Sequence, residues 1–275
     1  MTPLRQKTLD YMHLVGYSAA TIRSYINHIQ LFSLHYKSCP SLLDLDAVRY
    51  YLLYLIKEKH YTQSSVNGAY SALKILFEKV LEKGWDANKI PRSKRLKTLP
   101  CVLSKEEVNR LFEVTTNTKH KSILMLLYSG GLRISEVVGL KISDIDSKRM
   151  LIKVNQGKGK KDRYTILSEK MLIQLRQYFV RYRPNTYLFN GADPLRAISI
   201  TTVGHIFRKA RTKAGINKPA TVHTLRHCFA THLIEDGVSV TKVQLLMGHT
   251  DVRTTSKYLH LSTRHLNDIT HPMDN

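Results

Sequence analysis

The chain has 275 residues and is 43% hydrophobic, enough for one large or two modest folded domains and too apolar for general disorder. Its 43 Lys and Arg against 21 Asp and Glu leave a formal charge of +22, which repels itself unless a polyanion, nucleic acid above all, balances it. The longest apolar run, around Ile123–Tyr128, is far too short to span a bilayer, the N-terminal Met1-Thr2-Pro3-Leu4-Arg5 lacks the apolar run of a signal peptide, and the scattered Cys39, Cys101 and Cys228 form neither a disulfide framework nor a metal-type pair. A reducing, intracellular setting is expected. Charge alone does not separate DNA from RNA or an anionic membrane surface.

The first ninety or so residues read as helices only, making a bundle of four short helices with basic outer faces. Ser18 is a natural N-cap for a helix whose stripe is Ile22, Tyr25, Ile26, Ile29 and Phe32. Asp46 is expected to cap the next, with Val48, Tyr51, Leu52 and Leu55 on one face. Thr62 precedes a longer stripe of Val66, Ala69, Tyr70, Leu73, Leu76, Phe77 and Val80, with Gly84 as its expected stop. Between Asn88 and Pro100 no apolar period survives. Lys89, Arg92, Lys94, Arg95 and Lys97 fall there, and residues 91–101 are expected to be a basic linker. The segment by itself is compatible equally with a strap along a phosphate backbone and with a merely solvated tether.

Ser104-Lys105-Glu106-Glu107 has the form of a capping box and starts a second domain, 102–275, with a helix to about Val114. An apolar helix over Ile123–Tyr128 stops at Gly130-Gly131. Residues 151–154 and 163–167 read as two strands joined by the Gly157–Lys161 loop. Ser168 caps a helix to about Arg183, and helices are expected over 200–214, 224–236 and 241–247, the last two punctuated by Gly237 and Gly248. The fold class expected is mainly α with a small β-sheet. No internal repeat or low-complexity tract is visible.

Two polar clusters interrupt this apolar pattern. Arg133 follows a glycine turn and enters a helix containing Val137 and Val138, where an arginine is costly to bury unless something anionic meets it. His223 and Arg226 lie one helical turn apart, so both side chains can point one way. Gly248-His249 follows, and Tyr258 stands nine residues after His249.

Five pieces, in order, resemble the tyrosine recombinase (phage integrase-type) family, which includes Xer recombinases and transposon integrases. They are Gly131-Leu132-Arg133-Ile134-Ser135-Glu136, Gly157-Lys158-Gly159, His223-x-x-Arg226-His227, Leu246-Met247-Gly248-His249 and Thr254-Thr255-x-x-Tyr258. Each is weak alone; the ordered set across the last two thirds of the chain is specific. The resemblance implies an N-terminal four-helix, SAM-like core-binding domain (1–90) that clamps DNA, and a mixed α/β catalytic domain. Arg133 and Arg226 would clamp the phosphorane oxygens through charge-assisted hydrogen bonds. Tyr258 would be the nucleophile, and its phenol, ordinarily near pKa ~10, needs help to ionise. His223 would act as base or hydrogen-bond donor, His249 would bind the phosphate, Lys158 would protonate the 5′ leaving oxygen, and Glu136 would orient the site.

Lys158, Lys160 and Lys161 crowd one loop, and a register slip would present a different lysine as the acid. Lys89, Arg92, Lys94, Arg95, Lys97, Lys160 and Lys161 are the candidate backbone contacts to double-stranded DNA. The family also implies a 3′-phosphotyrosine intermediate, a dimer on each core site, a tetramer in synapsis and a Holliday junction. It implies no metal, ATP or other cofactor, no membrane, and a cytoplasmic, nucleoid-associated location. The C-terminal segment after Tyr258 is expected to continue as a helix, break at Pro272 and dock on a neighbouring protomer. It resembles the tails of mobile-element integrases somewhat more than those of Xer proteins.

Blander readings stand beside these. Arg133 could simply pair with Glu136, His249 could cap a helix C-terminus, and Tyr258 is one of 15 tyrosines. His227 is more often a packed or hydrogen-bonded helix residue than a catalyst. His223 and His227 have zinc-helix spacing, but His-Glu-x-x-His is absent and Arg226 would repel a cation. Two rival functions remain at this point: a DNA-binding protein of this fold without catalysis, and a nicking–religating enzyme like a type IB topoisomerase.

Overall fold

The computed structural model describes residues 2–94, 100–155, 162–249, 251–256 and 258, with backbone alone at 252 and 253. The chain divides into two compact units, residues 1–98 and 99–275.

The first unit contains α1 (Pro3–Leu14), α2 (Ala19–Tyr36), α3 (Leu45–Lys57) and α4 (Gln63–Ile75). Ser18 and Thr62 cap α2 and α4 as their sequences predict, each accepting a backbone N–H three residues on. The cap of α3 is Asp44, not Asp46. Asp44 Oδ1 accepts the Ala47 N–H at 2.8 Å, which leaves Asp46 in the first turn, where its charge still suits the helix dipole. The expected stop at Gly84 also comes earlier. Helical bonding loosens after Ile75 into a π turn, Leu76–Val80, and Glu82 already adopts a left-handed φ of 55°. Leu76, Phe77 and Val80 stay buried through that turn, so the apolar stripe continues although the helix type changes. The core gathers Phe32, Tyr51, Leu55, Leu73 and Phe77 around Ile90.

Ile90 alters the expected linker. It is fully buried in this core, Asn67 Nδ2 donates to the Ser93 carbonyl at 3.1 Å, and the Arg92 guanidinium lies over the Tyr70 ring. Residues as far as Ser93, among them the first three of the expected linker, are therefore packed on the first unit. Arg95 and Lys97 lie outside the described residues.

In the second unit α5 (Lys105–Glu113) opens with the predicted capping box, Ser104 and Glu107 each accepting the other's backbone N–H. Then come α6 (Thr118–Ser129), α7 (Ile134–Gly139), strands β1 (Ile145–Asp146), β2 (Leu151–Val154) and β3 (Arg163–Ile166), and α8 (Glu169–Tyr182), α9 (Ile200–Lys213), α10 (Val222–Glu235), α11 (Val240–Met247) and α12 (Val252–Ser256). The strands form an antiparallel sheet in the order β1-β2-β3, with Val154 opposite Arg163 at the end nearest the loop. Helix α10 is buried almost all round. Leu225 and Cys228 join the main core of Leu124, Leu127, Val137, Ile152, Tyr178 and Phe207, while Phe229, Ala230 and Ile234 pack with Val243, Met247 and Tyr258. A helix buried on almost every side is an interior helix, and two of its polar residues, Arg226 and His227, turn toward the site.

Among the described residues no helix is long and apolar enough to cross a membrane.

Candidate active site

The site is built around one carboxylate. After α6 the chain reverses at Gly130-Gly131, Gly131 taking φ 57°, a left-handed conformation that L side chains rarely adopt. This turn delivers Arg133 to the N-cap of α7, and Glu136 folds back on it. Glu136 Oε2 accepts the Arg133 N–H and Oε1 accepts Arg133 Nη1, both at 2.7 Å. The bland Arg133–Glu136 pairing is thus real, but it is part of something larger. Arg163, at the start of β3, forks onto the same carboxylate, Nη1 to Oε1 and Nη2 to Oε2, each at 2.8 Å. Arg226 Nη1 stands 3.9 Å from Oε2. Burial works to raise the Glu136 pKa, but hydrogen bonds from Arg163 and the Arg133 backbone outweigh it and hold it at about 2.

Arg226, from the middle of α10, is 1% exposed. Its Nη1 donates to the Gly131 carbonyl, and its Nη2 donates to the Met247 carbonyl at 2.6 Å and meets His249 Nε2 at 3.1 Å. Arginine has no acceptor, so His249 Nε2 must accept. The neutral ring then carries its proton on Nδ1, which meets Thr255 Oγ1 at 2.8 Å. Burial, then Arg133, pushes the Arg226 pKa down to about 9, still protonated at neutral pH.

Tyr258 is 4% exposed, and its hydroxyl meets His227 Nδ1 at 2.9 Å. Its ring lies parallel to that of His249 with centroids 6.4 Å apart. Burial raises its pKa, and Arg226 and Arg133 partly offset the rise. His223 sits on the exposed rim, edge-on to His227 at 4.6 Å between ring centroids. Desolvation, and then the two arginines, lower its pKa.

The structure therefore brings Arg133, Glu136, His223, Arg226, His249 and Tyr258 into one cluster. Lys158, Lys160 and Lys161 lie outside the described residues. Lys89, Arg92 and Lys94 are exposed on the first unit. Two members were missed by sequence reading. His227 was given the bland role of a packed or hydrogen-bonded residue, yet its bond is to Tyr258. Arg163 was assigned only to a strand, although alternation along that strand places it on the same face as buried Thr165 and Leu167. Three guanidinium groups around one carboxylate leave the cluster two charges positive. Beside that excess stands a phenol with a nitrogen partner, a combination suited to attack on an anionic centre.

Residues 101–265 match the Phage integrase family, and residues 4–87 match its N-terminal SAM-like domain. The chain is 42% identical over 264 residues to the putative integrase/recombinase y4qK of Sinorhizobium fredii, covering 96% of this chain and 86% of that protein. It is 35% identical over 266 residues to tyrosine recombinase XerA of Pyrococcus horikoshii, covering 94% and 89%. A crystal structure of XerA recombinase aligns with a TM-score of 0.57 at 30% identity, over 96% of this chain and 95% of that one. A lambda integrase dimer bound to a COC′ core site shares the fold at a TM-score of 0.74 and 18% identity, over 91% and 95%. Matched through both units, and related to recombinases at 35% identity or more along nearly its whole length, the chain belongs to the phage integrase family and is a site-specific tyrosine recombinase.

Proposed function

We propose that Tyr258 is the nucleophile and that the cluster around it cuts and rejoins DNA through a 3′-phosphotyrosine. The observation that supports this most directly is the placement of the Tyr258 hydroxyl against His227, in the same cluster as the buried Arg226 and its partner His249. The phenolic oxygen attacks the scissile phosphorus while its proton passes to His227 Nδ1. Arg133 and Arg226 hold the non-bridging oxygens as charge builds on them, each such donor being worth on the order of 3 kcal/mol in the transition state. His223, at the rim, donates to the same oxygens, and His249 joins them once it takes up a proton at Nε2, which also releases it from Arg226. The bond from phosphorus to O5′ breaks, and Lys158 supplies the proton that this oxygen needs. Glu136 reacts with nothing; it aligns Arg133. A free 5′ hydroxyl from the partner strand then reverses the steps. The phosphodiester energy is kept in the phosphotyrosine bond, so the cycle consumes no ATP.

The same reading extends to assembly. The first unit binds duplex DNA, and Lys89, Arg92, Lys94, Arg95, Lys97, Lys160 and Lys161 contact its backbone. Two protomers occupy a core site, four form the synapse, and strands exchange in two rounds through a Holliday junction. The likeness to an integrase/recombinase at 42% identity supports a mobile element as the source of the DNA sites. The protein then works in the cytoplasm, on the nucleoid. The test incubates the protein with a library of nicked suicide duplexes and sequences the DNA trapped on it. Wild type forms an adduct mapping to Tyr258 on paired inverted half-sites, and Tyr258→Phe forms none. An adduct with Tyr258→Phe, or relaxation of any supercoiled DNA without a site, would refute the reading.

A further inference from the structure

Helix α11 ends inside the site, and the way it ends sets where His249 points. The last four carbonyls of an α-helix have no partner within it. In α11 two of these are met by the turn itself. Gly248, at φ 62°, and His249 direct their N–H groups back to Leu245 and Gln244. The other two are met by arginines of the site. Met247 accepts from Arg226 Nη2 at 2.6 Å, and Leu246 accepts from Arg163 Nε at 3.0 Å. Two cations at the negative end of a helix also suit its dipole. Arg163 thus forms part of the C-terminal cap from which His249 departs.

The rest of the same side chain is fixed to the arginine box. Its two Nη atoms fork onto Glu136, each at 2.8 Å, and that carboxylate also holds Arg133. Two residues along β3, Thr165 Oγ1 donates to the Gly130 carbonyl at 2.9 Å, which ties the strand to the turn that delivers Arg133. The aliphatic stem fills the space beside Gly248, where an added Cβ would lie 2.6 Å from Arg163 Cδ. The side chain is 10% exposed and Glu136 5%, so this is an interior junction rather than a surface ion pair. A lysine cannot replace it in kind, because one ammonium cannot present the planar fork that serves a carboxylate and a carbonyl at once. We infer that Arg163 is a positioning residue for His249: it locks the end of α11 to the carboxylate that aligns Arg133, so that the imidazole and the two clamping guanidinium groups meet one phosphate in a single geometry. All three of its nitrogens face Glu136 or Leu246, so it acts through these partners. The inference rests on the proposed role of His249 at the phosphate.

The test is a pair of double-mutant cycles, read by single-turnover cleavage of the duplex recovered by covalent trapping. Arg163→Gln alone should slow cleavage about 10²-fold, the usual cost of a misplacement of roughly 1 Å in a reacting geometry. In a His249→Ala background the same substitution should cost about tenfold or less, because the residue it positions is gone and only the share acting through Arg133 remains. In a His223→Ala background it should still cost about 10²-fold, since among the described residues Arg163 makes no hydrogen bond to α10, which carries His223. A general loosening of the second unit would cost the same in every background, so equal losses would overturn the inference, as would cleavage by Arg163→Gln at the wild-type rate. Arg163→Lys, which keeps the charge, should show the same ordering with smaller losses, and it decides the matter if Arg163→Gln does not fold. His249→Ala by itself separates the inference from the reading beneath it. If it cleaves at the wild-type rate, His249 has no part at the phosphate and both fall; if it is slow and the Arg163 loss is undiminished in its background, the positioning role alone is wrong.

Discussion

Gly131→Ala probes the turn on which the arginine box depends. At φ 57° an L side chain costs on the order of 1–2 kcal/mol in backbone strain. The new Cβ would also lie 2.2 Å from Phe229 Cδ1 and 2.4 Å from Cε1. Phe229 is buried with Ala230, Ile234, Val243, Met247 and Tyr258, so its ring has no open space to yield into. Overpacking a filled core costs about 1–3 kcal/mol. Together the two effects destabilise the second unit by about 2–5 kcal/mol, which for a unit of this size lowers its melting temperature by roughly 4–20 °C. Gly204→Ala, on α9, is the matched control. Its Cβ would meet nothing within 4 Å, and replacing a helical glycine by alanine should stabilise by about 0.5–1 kcal/mol. Calorimetric melts of the two variants read the sign directly. Because the Gly131 carbonyl also accepts from Arg226, Gly131→Ala should lose adduct formation while Gly204→Ala retains it. The reasoning is refuted if Gly131→Ala melts with wild type, or if Gly204→Ala is the more damaged of the two.

Glu136→Gln should change how stability depends on pH. A carboxylate held at about 2 rather than 4.5 binds fewer protons folded than unfolded, so its contribution is full above 4.5 and is lost as pH falls toward 2. That contribution is on the order of 3 kcal/mol; denaturant titrations from pH 7 to 2 should show wild type and variant converging in acid, and parallel curves would contradict it. His227→Gln should slow single-turnover cleavage by about 10²-fold or more. Its rate should also keep rising into alkaline pH, because burial raises the Tyr258 pKa and the phenol then ionises without its acceptor; an unaltered pH profile would remove His227 from proton transfer. Binding to the recovered duplex should weaken by about 10³-fold or more between 50 and 200 mM salt, if six or more phosphates are neutralised. A flat response in a gel-retardation series would contradict the clamp.

How much of this was legible in the sequence depended on whether a side chain's surroundings were local. Ser18, Thr62 and Ser104 act on N–H groups three residues away, and their caps could be read directly. His223, Arg226 and His227 share one helix, so spacing alone brings them together. Asp44 and Asp46 are both good caps two residues apart, and only the backbone decides between them. The π turn at Leu76–Val80 was hidden because the apolar stripe runs on through it. Ile90 was hidden for the opposite reason: one apolar residue among basic ones has no period. Arg163 was the hardest case. On β3 the more apolar face, Tyr164 and Ile166, is the exposed one, at 48% and 39%. Arg163 and Thr165 point inward because Glu136 and the Gly130 carbonyl receive them from distant parts of the chain.

That inversion says something about how the site stores its reactivity. Glu136 is already forked by two arginines and stands 3.9 Å from Arg226, so it offsets the third charge only in part, and the hydrogen bonds of Arg226 go to carbonyl dipoles and a neutral imidazole. Those partners satisfy its hydrogen bonds without cancelling its charge, which is why burial and Arg133 together depress its pKa to about 9. A phosphate entering between Arg133 and Arg226 would supply the missing negative charge, and the extra charge of a phosphorane would supply more of it. On the proposed role of these arginines the stabilisation would grow as the reaction proceeds toward the transition state, which is the condition for rate enhancement rather than tight ground-state binding.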